Sequence, residues 1–174
     1  SRLVMHDNEI EISRRPFYNG RRYDSITEAR YAVLFNFFQI PFINQAETGV
    51  LNSQHNYYEY MIDYLVYPND ETRKFYLEIK PFRPNNVEET LCEQVAYNKR
   101  VPVYLFYGRF GVPFSLGEDF PNGYTGIRYF FENGAMKRDE GYIFVEKNGE
   151  ICVDKRYTVS DVSFYTKKLK EAYD

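Results

Sequence analysis

The stretch YLEIKPF, Tyr76 to Phe82, reads as a strand that carries a glutamate and a lysine two residues apart. Strand side chains alternate between faces, so Glu78 and Lys80 point the same way as Tyr76. Phe75, Leu77 and Ile79 make up an apolar opposite face, and Pro81 and Pro84 close the strand. An amine and a carboxylate side by side on so hydrophobic a strand mark either a solvated face or a polar site.

The residues on either side supply the context. Upstream, YYEYMIDYLVYP (residues 57–68) is a second aromatic strand, and PNDETR is a turn, so the two strands form an antiparallel hairpin. Before them, IPFINQAE is a short strand and SITEARYAVLFNFFQ a helix. Ser25 is its N-cap, Glu28 occupies the capping-box position, and Ala29, Ala32, Val33 and Phe37 repeat at helical spacing. Pro41 stops it. Downstream, VEETLCEQVAYNKR is a second helix with Val87, Leu91, Val95 and Asn98 along one face, and VPVYLFYGRF is a buried strand. Helix, strand, hairpin, helix, strand gives an α/β core with a mixed sheet.

Beyond Gly111 the pattern changes. GVPFSLGEDFPNGYTG reads as a long loop, GIRYFFE and YIFVEKNGEICVDK as strands with a hairpin turn at Asn148-Gly149, and SDVSFYTKKLKEAY as a closing helix. This divides the chain into a core over residues 1–110 with a polar lead-in, and a β-rich appendage with a terminal helix over 111–174 packed on that core.

The 174 residues are 44% hydrophobic and 27% charged, a globular composition. A net charge of −3 gives no global attraction to nucleic acid, so any such binding rests on local basic patches. Cys92 and Cys152 are too few for a disulfide framework and read as core residues in a reduced compartment. Two histidines, His6 and His55, cannot assemble a Cys/His zinc cluster. No apolar run reaches the length of a membrane span, and no signal-peptide core opens the sequence, so an intracellular location is expected and no membrane partner.

The acidic residues suggest chemistry. With Asp63 on one hairpin strand and Glu78 on the other, two carboxylates can reach one metal. Magnesium prefers such hard oxygen ligands, with waters and substrate phosphate completing the shell. A lysine beside that site can act on a metal-bound water or stabilise phosphate charge. Each residue also has a plainer reading. Glu28 can serve as a capping-box partner of Ser25, Asp63 as a buried partner of Lys80, and Glu78 and Lys80 as a wet strand face.

In this order the elements NGRRYDSITEARYAVLF, YMIDYLVYP, YLEIKPF, VEETLCEQVAYNK and VPVYLFYG resemble the PD-(D/E)XK nuclease superfamily, and the first is similar to the opening helix of small phage and mobile-element members. The resemblance spans roughly residues 17 to 110. It implies a restriction-endonuclease-like αβββαβ core with a mixed sheet. It implies Asp63 and Glu78 as metal ligands with the backbone carbonyl of Ile79, Lys80 as the motif lysine, and Glu28 as the helix glutamate that binds a second metal or a metal-bound water. Ile62 stands where the family pattern has its proline. The activity implied is Mg²⁺- or Mn²⁺-dependent hydrolysis of phosphodiesters in DNA rather than RNA, by an endonuclease in preference to an exonuclease. The source implied is a virus or mobile element, acting in the cytoplasm or another compartment of the host cell. The rival is a nuclease-fold module that binds or scaffolds without catalysis. The oligomeric state stays open, a homodimer included.

Overall fold

The computed structural model describes residues 2–3, 15–51, 57–109 and 123–158. In chain order these form β1 (Arg2–Leu3), β2 (Phe17–Tyr18), β3 (Arg21–Arg22), α1 (Ile26–Phe37), β4 (Phe42–Glu47), β5 (Val50–Leu51), β6 (Tyr57–Tyr58), β7 (Tyr60–Val66), β8 (Phe75–Lys80), α2 (Asn86–Lys99), β9 (Val103–Gly108), β10 (Tyr124–Glu132), β11 (Ala135–Lys147) and β12 (Glu150–Asp154). The closing helix and most of the Gly/Pro loop read from the sequence lie outside the described residues, as do His6 and His55.

β7 and β8 are the hairpin that the aromatic runs announce, paired antiparallel from Val66↔Phe75 to Tyr64↔Leu77. β4 lies along the other edge of β7, and β8 pairs with β9 in parallel from Tyr76↔Val103 to Lys80↔Tyr107. A parallel neighbour cannot be reached by a tight turn, and α2 provides the crossover. β10, β11 and β12 then continue the strand order antiparallel, giving one mixed sheet of eight strands with β1 included. The described part of the stretch after Gly111 is therefore a continuation of the core sheet. Among the described residues no helix is long and apolar enough to cross a membrane.

Helices cover both faces of this sheet. On one, Tyr31, Leu34 and Phe35 of α1 join Tyr64, Leu77, Phe106 and Phe144 in a core rich in aromatic rings. Phe35 meets Tyr64 edge-on at 5.2 Å and Phe106 meets Phe144 at 5.1 Å, the geometry favoured by ring quadrupoles. On the other, α2 packs Cys92, Val95 and Ala96 against Tyr76, Leu105, Ile127 and Tyr129. This corrects the helix face expected from the sequence. Val95 is buried, but Val87 is 69% exposed and Asn98 is exposed. The small Cys92 and Ala96 let the helix sit close to the sheet, so the buried stripe is rotated towards them.

The hairpin turn expected at Asn148-Gly149 joins β11 to β12. Asn19-Gly20, Asn133-Gly134 and Asn148-Gly149 all have both residues at positive φ, the conformation of two-residue hairpin turns that match strand twist. At the sheet's far side, Asp139 accepts from Arg128, Lys155 and Tyr142 at 2.8–3.1 Å. Burial opposes its charge, but these donors win and hold its carboxyl down at about 2.

Gly126 has a different role. A Cβ there would lie 2.3 Å from the Phe106 ring, so β10 can pass over that ring only without a side chain. Gly126→Ala is expected to cost about 1–3 kcal/mol by overpacking, read by urea denaturation. Shortening the ring with Phe106→Leu should shrink that cost.

Candidate functional site

The site begins with a defect in β4. Asn44, Gln45 and Ala46 are all buried, which breaks the alternation of a strand. Gln45 has φ +55°, a left-handed conformation that a non-glycine residue adopts at a cost of roughly 1–3 kcal/mol. The register with β7 is the same on both sides of it, Asn44↔Tyr64 and Ala46↔Ile62, so Gln45 lies opposite Asp63. The kink turns two neighbouring amides onto one carboxylate oxygen: Asn44 Nδ2 and Gln45 Nε2 donate to Glu28 Oε1 at 2.6 and 2.7 Å. Asn44 Nδ2 also donates to the Asp63 carbonyl at 3.0 Å, and Gln45 Nε2 to Asp24 at 3.0 Å. The other ends of the two amides, Asn44 Oδ1 and Gln45 Oε1, are buried acceptors with no hydrogen bond.

Glu28 reaches this position because it sits in the first turn of α1. Ser25 caps the helix by accepting from the Glu28 N–H at 3.1 Å, as the sequence suggests. The Glu28 carboxylate, however, is turned to the amides of β4. Burial raises its pKa, and the two amide hydrogen bonds offset only part of that rise. The hydroxyl of Tyr64 donates to the Glu28 carbonyl and ties α1 to β7.

β7 changes faces at Asp63. Tyr60 and Ile62 pack with α2, whereas Tyr64 and Val66 pack with α1. The β7–β8 ladder stops at Tyr64↔Leu77, and beyond it the N–H of Ile79 donates to Asp63 Oδ2 at 2.8 Å. The edge of β7 past this point pairs with β1 instead, Met61 with Arg2 and Tyr60 with Leu3. The hairpin therefore forks at Asp63, and the carboxylate takes the place of a ladder carbonyl.

Glu78 lies on the α2 side of β8, 1% exposed, and accepts from the Tyr60 hydroxyl. Lys80 is two residues on, with Nζ 3.2 Å from Glu88 Oε2 in the first turn of α2. Glu88 also completes a capping box with Asn85.

The four acidic and basic residues singled out by sequence thus lie at one end of the sheet. Asp63 touches the backbone between Glu78 and Lys80, Glu28 is joined to Asp63 through Asn44, Glu78 is held by Tyr60, and Lys80 by Glu88. Among the described residues no three His, Cys, Asp or Glu side chains form a ready cation cage. The available atoms are nevertheless hard oxygens, the kind magnesium selects, and the orphaned amide oxygens of Asn44 and Gln45 add two. Cys92 is fully buried and burial pushes its thiol well up, which fits a core residue and no nucleophile. Sequence reasoning passed over Asn44, Gln45, Tyr60 and Glu88. Two consecutive amides inside the strand FINQAE were the available signal for the first pair.

Compared with protein-family models, curated proteins and solved structures, the chain matches none.

The raised pKa of Glu28 has a definite sign for stability. The folded state holds the proton more tightly than the unfolded state, so stability falls as pH rises from the ordinary glutamate value through the folded one. Glu28→Gln keeps an acceptor for both amides and removes the buried charge. It should raise the urea midpoint at pH 7, and the gain should fade at pH 4.

Proposed function

We propose that this chain is a magnesium-dependent nuclease that hydrolyses phosphodiester bonds in DNA. The observation that carries the reading is the fork at Asp63. There a buried carboxylate meets the backbone of Glu78-Ile79-Lys80, at the end of a sheet whose elements run helix, strand, hairpin, helix, parallel strand. That order and those residues support a restriction-endonuclease-like core. Three carboxylates, each at most 2% exposed, gather hard oxygens at that end of the sheet, the donors a divalent cation selects.

In this reading Asp63, Glu78 and the Ile79 carbonyl would hold the ion, with Glu28 at its outer shell. Bound there, Mg²⁺ would activate water and neutralise charge on the phosphate. Lys80 orients the attacking water or meets the phosphate, since an ammonium donates three hydrogen bonds and cannot ligate a cation. To do so it exchanges Glu88 for substrate. Asn44 and Gln45 keep Glu28 in place, and Tyr60 fixes the rotamer of Glu78. DNA over RNA, and internal cleavage over cleavage from an end, rest on the resemblance of the motif. A virus or mobile element is the source that the same resemblance suggests.

The second reading is a binding module that keeps the fold without catalysis. The engagement of Lys80 by Glu88 and of Glu78 by Tyr60 favours it, because both groups already have protein partners.

Calorimetry with Mn²⁺ and cleavage of plasmid and oligonucleotide DNA separate the two. Wild type should bind Mn²⁺ and cut. Asp63→Asn should weaken the ion at least tenfold, having lost an anionic oxygen. Lys80→Ala should retain Mn²⁺ and lose cleavage by about a hundredfold or more. A wild type that neither binds Mn²⁺ nor cuts leaves the binding module as the answer.

A further inference from the structure

The end of the sheet that carries Glu28, Asp63 and Lys80 is also where apolar side chains stand in water. Phe17 is 63% exposed, Ile26 62%, Phe82 73% and Val87 69%. Scattered exposed hydrophobics are ordinary, but these four sit on segments that border the same site. Phe82 follows Lys80 by two residues, in the short segment between Pro81 and the buried Pro84. Val87 opens the next helix. Across the fork, Phe17 lies on the β2–β3 hairpin, which Arg21 ties to the Asn44 carbonyl at 3.1 Å. Ile26 opens α1, two residues before Glu28.

Phe17 has a guanidinium beside its ring, and an arginine follows Phe82 in the chain. The Arg22 guanidinium lies 5.3 Å from the centre of the Phe17 ring. Arg83 is the neighbour of Phe82 and spans the Tyr107 hydroxyl at 3.2 Å and Glu140 at 3.3 Å. The Arg83–Glu140 pair is exposed, so it holds Arg83 weakly and leaves it exchangeable. A ring with an adjacent guanidinium suits one kind of ligand unit, a flat apolar face joined to an anion. An unpaired nucleotide is that unit. In a duplex the base faces are stacked inside and the rings would have nothing to contact.

We infer that Phe17 and Phe82 are stacking platforms on either side of the site, and that the chain binds DNA through an unpaired stretch. The inference rests on the nuclease reading for the nucleic-acid ligand, and it narrows the substrate to single strands, flaps or frayed ends. Arg22 and Arg83 hold the flanking phosphates. The net charge of −3 then matters little, because attraction is local.

The test uses the full chain with a fluorescein-labelled single-stranded 12-mer and a blunt duplex of the same sequence. Anisotropy is read in Ca²⁺, alongside Mn²⁺ calorimetry and cleavage of both DNAs. The single strand should bind at least tenfold more tightly than the duplex. Phe17→Ala and Phe82→Ala should each weaken it about tenfold, leaving Mn²⁺ affinity and thermal midpoint unchanged. Phe82→Trp should restore binding where Phe82→Leu does not, which separates stacking from simple bulk. Equal binding of single strand and duplex, or silent alanine variants, overturns the inference even if Mn²⁺-dependent cleavage is found. Tight single-strand binding that falls with both variants upholds it even if no metal binds and nothing is cut, and then the catalytic reading alone fails.

Discussion

One hydrogen bond organises the functional end of this molecule: the Ile79 N–H donating to the Asp63 carboxylate at 2.8 Å. A strand that leaves its neighbour exposes backbone donors, and a buried donor without a partner costs about as much as a lost hydrogen bond. Asp63 supplies the acceptor from its side chain, so β7 and β8 can separate without leaving the Ile79 donor unpaired. The separation frees the edge of β7 for β1 and lets β7 exchange the face that meets α2 for the face that meets α1.

The kink at Gln45 is the counterpart across the ladder. It lies opposite Asp63, and the strained backbone there is maintained by amides that grip Glu28. Strain, a raised carboxyl pKa and orphaned amide oxygens are concentrated in one small region. A region optimised for stability alone would have apolar residues in those positions. The elements beyond it are ordinary by comparison, with rings packed edge to face and cations paired on the surface.

The strands after residue 123 support this arrangement from the side. β10 passes over Phe106 at Gly126, and Phe106 meets Phe144 of β11 edge to face in the same core as α1. Tyr129 and Arg138 both bond Glu89 of α2, tying the crossover helix to the extended sheet. Glu89 is adjacent to Glu88, the partner of Lys80. The C-terminal strands thereby fix the first turn of α2 and, through it, one wall of the site.

Most of the fold was written locally. Alternating apolar residues gave β7 and β8, Ser25 marked the start of α1, and Asn-Gly pairs set the hairpin turns, because each depends on a few neighbouring residues. The candidate residues Glu28, Asp63, Glu78 and Lys80 were legible for a related reason: charge within apolar segments stands out along the chain. What the sequence could not show is who meets whom. The partners Asn44, Gln45, Tyr60 and Glu88 come from other elements, and their choice depends on a left-handed residue and a change of face that no periodicity encodes. The rotation of α2 towards Cys92 and Ala96 was hidden too, since a helix presents several plausible stripes and only the sheet selects one. Local propensity determined the elements and the chemistry available; the fork between two strands, which exists only once the sheet is assembled, decided how that chemistry is arranged.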